Sequence, residues 1–125
     1  MHKYTMRDFR NYDVWVDAVD YSVSVYEMTN EFPKKETYAL CDQLQRASVS
    51  VPSNIAEGCS RRSANEFAHY LEISLGSCYE VETQLEIAVR LKYISKTQFS
   101  EAIEKVQSLE KRLTSLINTI RPANY

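Results

Sequence analysis

Glycine is almost absent from this chain: two residues in 125, alongside three prolines. So sparse a supply excludes a collagen repeat, a glycine-rich loop that cradles phosphate, and the tight nucleophile turn of a hydrolase. The three cysteines, Cys41, Cys59 and Cys78, stand eighteen and nineteen residues apart. An odd number with no C-x-x-C pair is neither a disulfide framework nor a zinc knuckle, so free thiols in a reducing cytoplasm are expected. A basic excess is also lacking. Fifteen Lys and Arg against seventeen Asp and Glu leave a net charge of −2, shared evenly between residues 1–62 and 63–125, so neither half is an arm for generic phosphate binding. No run approaches the roughly 18 uncharged apolar residues of a membrane helix, and Asp8, Asp13, Asp17 and Asp20 stand where a secretory leader would be apolar.

Metal and cofactor chemistry finds no constellation either. His2 and His69 are the only imidazoles. His69 has a helically spaced acid in Glu72 and follows Glu66 in a Glu-x-x-His, but a di-iron bundle needs that motif twice, with a further Glu from each of two other helices. The acids Glu80, Glu82 and Glu86 do not make up the shortfall. No metal, no cofactor and no catalytic group is expected.

What the chain does have is helix. Apolar residues make up 44% of it and charged residues 26%, enough to bury about two thirds of the unfolded surface in one core. Its punctuation recurs at intervals of about thirty residues: a start near Asn11, the Phe32-Pro33-Lys34-Lys35 corner, the stretch from Gly58 to Ser63, and Tyr93-Ile94-Ser95. Ser63-Ala64-Asn65-Glu66 and Ser95-Lys96-Thr97-Gln98 both fit a capping box, in which hydroxyl and N3 side chain exchange bonds with the backbone. Asn11 reads as an N-cap and Gly58 as a left-handed terminator. The prediction is a single all-α domain over residues 1–125, an up-down-up-down four-helix bundle with helices at 12–30, 36–58, 64–92 and 96–120, the second bent at Pro52.

Periodicity agrees. In the last segment Phe99, Ala102, Ile103, Val106, Leu109, Leu113, Leu116, Ile117 and Ile120 recur at three- and four-residue steps. The third segment sets Phe67, Leu71, Ser74, Cys78, Val81, Leu85 and Ala88 on one stripe, with Ile73, Leu75, Ile87 and Val89 outside it. In the first, the polar residues Asp13, Asp17, Asp20, Ser24 and Glu27 crowd into an arc of about 80°, leaving most of the helix apolar or small. That exceeds the stripe of roughly 100° a surface helix needs. Val14, Tyr21 and Met28 on one flank, and Val16 and Val23 on the other, are therefore expected to be covered by another subunit.

Two sets of polar residues remain. Gln43, Arg46, Asn54 and Glu57 recur near helical spacing on the second segment, and with Glu80 and Gln84 of the third they are expected to build a satisfied polar layer within or between subunits. Around Pro52, the hydroxyls of Ser48, Ser50 and Ser53 are placed to occupy the carbonyls a proline frees. Lys34-Lys35 and Arg61-Arg62 fall in turns at opposite ends of such a bundle; multiplied around a ring of subunits they would make a basic rim for RNA or DNA phosphates. Tyr21, Tyr26, Tyr70 and Tyr79 are expected to be buried with satisfied hydroxyls.

Asp13-Val14-Trp15, the run from Gln43 to Gly58 (QLQRASVSVPSNIAEG) and the run from Ser74 to Leu85 (SLGSCYEVETQL) resemble one known group, the four-helix bundle proteins encoded by 23S rRNA intervening sequences. The accessory variability proteins of diversity-generating retroelements are similar to these. The resemblance spans about residues 9–120 and includes Phe32-Pro33, Tyr38, Arg61-Arg62-Ser63 and Glu66-Phe67. It implies a homo-oligomeric ring, commonly a pentamer, without catalysis. Wide apolar coverage without a catalytic constellation points to a non-enzymatic homo-oligomeric adaptor for a protein, an RNA or both, which the resemblance would associate with RNA or the ribosome; the likeness to the retroelement proteins implies the alternative, a nucleic-acid-binding accessory to a reverse transcriptase acting through a basic ring surface.

Overall fold

A computed structural model describes residues 7–121; His2 lies outside them. Four helices follow one another: α1 (Asp13–Thr29), α2 (Leu40–Cys59), α3 (Ala64–Arg90) and α4 (Lys96–Ile120), with 3-10 turns at Phe9–Asn11 and Lys34–Glu36. Contacts between helix ends set the directions. Arg7, just before α1, donates to the carbonyl of Arg61 just after α2, Tyr93 beyond α3 reaches Glu36 before α2, and Arg121 beyond α4 donates to the carbonyl of Asn65 in the first turn of α3. Consecutive helices are therefore antiparallel, and α4 closes the bundle against α1. The core runs the length of the interior through Val25, Leu44, Val51, Ile55, Phe67, Leu71, Val81, Leu85, Val106 and Leu113, all 1% exposed or less.

The helix starts follow local chemistry only in part. Ser95 and Gln98 form the reciprocal capping box at α4, and Ser63 accepts from the Glu66 amide at α3. Asn11 does not cap α1: it lies inside the 3-10 turn, which Asp8 caps, and Tyr12 takes the N-cap position without a side-chain bond. The second helix begins at Leu40, because the residues after Pro33 close a 3-10 turn first.

Gly58 is not a terminator. It lies within α2, and a Cβ there would come within 2.9 Å of Tyr70 Cβ and 3.0 Å of Phe67 Cδ1, so its role is the close approach of α2 to α3. The left-handed residue sits elsewhere, at Lys92 (φ 64°). Tyr93 N–H bonds the Ala88 carbonyl and Lys92 N–H that of Val89, the paired bonds of a Schellman stop.

Candidate functional site

The proline turn of α2 is where the three helices α1, α2 and α3 exchange polar contacts. Pro52 has no N–H to offer the Ser48 carbonyl, and the hydroxyl of Ser22 on α1 lies 2.9 Å from that oxygen and 3.0 Å from the Ala18 carbonyl of its own helix, its one proton shared between them. From α3, Ser74 donates to the Val51 carbonyl and Ser77 to the Ser50 hydroxyl, both at 2.8 Å. The expected donors behave differently: Ser48 turns to the Gln45 carbonyl, Ser50 serves Asn54 and Ser77, and Ser53 is exposed. The freed carbonyl is filled across the helix pair because Ser22 faces it from the buried side of α1.

The polar row does not close into a layer inside one chain. Arg46 pairs with Asp42 one turn away, Asn54 with Ser50, and Glu57 with Arg61, while Gln43 and Glu80 are exposed. Gln84 is the exception. It is buried, and its Oε1 has no hydrogen-bond partner among the described residues. Residues Gln43, Arg46, Ser50, Ser77, Glu80 and Gln84 line a shallow depression of about 280 Å³ between α2 and α3. Ser50 and Ser77 meet across the two helices at its base, Gln84 is turned inward, and Gln43, Arg46 and Glu80 stand exposed around the rim.

Of the apolar flank of α1 expected to meet another subunit, Val14 and Tyr21 are core residues of their own chain, 6% and 5% exposed, and Met28 is half-buried. The reason is α4: this flank faces it, and Tyr21 donates its hydroxyl to the Ala102 carbonyl at 2.9 Å. The other flank is different. Val16 and Val23 are 41% and 54% exposed, and Tyr26 on α1 and Val49 on α2 are exposed as well. A second exposed apolar face lies on α3, at Ile73, Tyr79, Ile87 and Leu91, whereas Leu75 and Val89 pack against the core. Tyr26 and Tyr79 thus depart from the burial expected of them; Tyr70, half-buried, accepts from Arg61.

Lys34 and Lys35 are exposed in the turn before α2, and Arg61 and Arg62 lie at the opposite end. What the linear spacing hid is that Arg7 and Arg121 join the second pair, one through the Arg61 carbonyl and the other beside Asn65 and Glu72. Carboxylates are interleaved with them: Arg61 binds Glu57 and Arg121 binds Glu72.

Two features are electrostatic. Glu110 on α4 carries a half-buried carboxyl beside Glu82 of α3, and it is pushed up to about 8, first by burial and then by the hydrogen bond and charge of Glu82. Burial likewise pushes the Cys78 thiol up to about 12, with Glu110 and Glu82 adding to it, and raises Cys41 and Cys59. These buried thiols are poor nucleophiles. Among the described residues no three His, Cys, Asp or Glu side chains come together as a metal site, and no helix is long and apolar enough to cross a membrane.

The sequence model of the 23S rRNA-intervening sequence proteins matches residues 10–115. Among solved structures, a protein of unknown function from the S23 ribosomal protein family of Bacteroides thetaiotaomicron VPI-5482 superposes with a TM-score of 0.78 at 24% identity, covering 84% of this chain and 95% of that one. This likeness extends to the fold. No curated protein matches.

Proposed function

The chain belongs to the 23S rRNA-intervening sequence protein family, and from that premise we propose that it is a non-enzymatic, homo-oligomeric helical-bundle adaptor whose partner is a protein or an RNA. The observation that carries this reading is exposed apolar surface on two separate helices, Val16, Val23 and Tyr26 on α1 and Ile73, Tyr79, Ile87 and Leu91 on α3. Two unlike faces suit a head-to-tail contact, which closes into a ring when the rotation allows it. The family resemblance favours a pentamer. Gln84, beside the α3 face, would gain from a neighbour the donor its own chain does not supply. Three buried thiols suit a reducing, cytoplasmic setting. Size-exclusion chromatography with light scattering tests the reading: the expected mass is a multiple of 14.5 kDa, and a stable monomer at micromolar concentration overturns it.

A second reading is favoured by the gathering of Arg7, Arg61, Arg62 and Arg121 at one end of the bundle. Repeated around a ring, with Lys34 and Lys35 on the other rim, these cations would grip nucleic-acid phosphates. Binding to structured RNA should then fall steeply with salt and weaken in Arg61→Ala/Arg62→Ala. Absence of binding at about 50 mM salt disposes of it.

A further inference from the structure

The seam between α1 and α4 is the loosest in the bundle. Small side chains, Ser24, Ala102 and Ser108, face one another there, and the helices leave two depressions of about 300 and 290 Å³. The depressions share Tyr21, Ser24 and Lys105, so they form one groove. It runs along α1 from Asp17 to Met28, roughly 17 Å at 1.5 Å per residue, which is the length of three helical turns.

The floor of the groove is apolar: Tyr21, Ala102 and Leu109 are buried and Met28 is half-buried. The rim is acidic. Asp20, Glu27 and Glu31 stand on the α1 side and Glu101 on the α4 side, and none of the four forms an ion pair with a described residue. Of the two cations on the rim, Arg112 is already bound to Asp17 at 2.7 Å, which leaves Lys105. The crowded polar arc of α1 thus lies along an open groove, with apolar side chains beneath it.

We propose that the α1–α4 groove docks a basic amphipathic helix of a partner protein, its apolar residues over Met28 and the exposed edge of Tyr21 and its Lys or Arg side chains over Asp20, Glu27 and Glu101. A helix laid in a groove of this length presents apolar anchors at i, i+3 or i+4 and i+7, and unpaired carboxylates on both lips select cations beside them. The same carboxylates repel phosphate, so the groove is not a nucleic-acid site. The inference rests on the adaptor reading and supplies its partner's chemistry.

The test is fluorescence anisotropy with a labelled amphipathic Leu/Lys helix of about 16 residues, long enough to fill the groove, against a Leu/Glu helix of the same pattern. The expected result is saturable binding of the Lys peptide that weakens with salt, falls at least tenfold in Asp20→Lys/Glu27→Lys, falls less in Asp20→Asn/Glu27→Gln, and is unchanged in Glu104→Lys, outside the groove. Circular dichroism confirms that the variants fold. No saturable binding, equal binding of the Glu peptide, or undiminished affinity in Asp20→Lys/Glu27→Lys overturns the proposal. So does a change in the protein's own mass in that variant without peptide binding, which would make the groove a subunit contact. The mass of the unsubstituted protein judges the adaptor reading separately.

Discussion

The hydroxyl of Ser22 on α1 lies 2.9 Å from the Ser48 carbonyl on α2, the one oxygen that Pro52 deprives of its helical partner. One helix thus repairs the backbone of its neighbour at a buried position. Ser22→Ala leaves that carbonyl unpaired and should cost about 1–3 kcal/mol. Pro52→Ala restores an N–H in register with Ser48, so in that background Ser22→Ala should cost measurably less. Urea unfolding of the two single variants and the double variant reads the coupling directly; additive effects would show that the hydroxyl does not serve this oxygen.

Glu110 makes stability depend on pH. Its carboxyl titrates at about 8 in the folded chain against an ordinary 4.5, so the folded state holds a proton that the unfolded state has released between those values. The stability linked to that proton is fully present below pH 4.5 and is lost as pH rises towards 8. Glu110→Gln cannot ionise and should flatten the decline in melting temperature between pH 5 and pH 8. Parallel profiles for the two proteins would remove Glu110 as its source.

The two glycines should respond oppositely to alanine. At Gly58 the new Cβ meets Tyr70 and Phe67 at 2.9–3.0 Å, and overpacking of about 1–3 kcal/mol outweighs the roughly 1 kcal/mol gained in helix propensity. At Gly76 nothing lies within 4 Å, so Gly76→Ala should stabilise the folded chain by up to about 1 kcal/mol. Thermal melts of both variants check the contrast.

Lys92 holds the left-handed position of the α3 stop with φ 64°. Lys92→Gly removes the Cβ strain there and should raise stability by about 0.5–1 kcal/mol, because the conformation is already populated by glycine. A loss of stability on denaturant unfolding would show that the stem of Lys92 packs usefully.

Val14 and Val23 sit on the same helix but should report different events. Val14→Ala empties a 6% exposed core position and should cost about 1–3 kcal/mol in unfolding without altering the assembled mass. Val23→Asp, at a side chain 54% exposed, should leave helicity intact and lower the mass seen by light scattering. If Val23→Asp assembles as the unsubstituted chain does, this flank of α1 is not a subunit contact.

Helix number, the α4 capping box and the core stripes were legible residue by residue, because periodicity and capping depend on neighbours three or four positions away. Asn11 and Gly58 were misread for the converse reason. An Asn before a helix and a Gly near its end suit caps in general, but Asp8 had closed an earlier turn and Tyr70 needed the space over Gly58. Lys92 gave no composition signal at all, since a left-handed lysine looks like any other.

The candidate surfaces were less legible still. Which flank of α1 is hidden depends on which side α4 lies, and that side follows from how four helices close around one core. Helical spacing placed Val14, Tyr21 and Met28 together, but only the α4 backbone, through the Ala102 carbonyl, turned them inward and left Val16 and Val23 outside. By itself, then, the sequence determined the elements and their apolar faces, through interactions reaching no further than a helical turn. Tertiary structure alone decided which faces were spent on the core, which arginines met at one end, and which seam stayed open, because those depend on contacts between residues far apart in the chain.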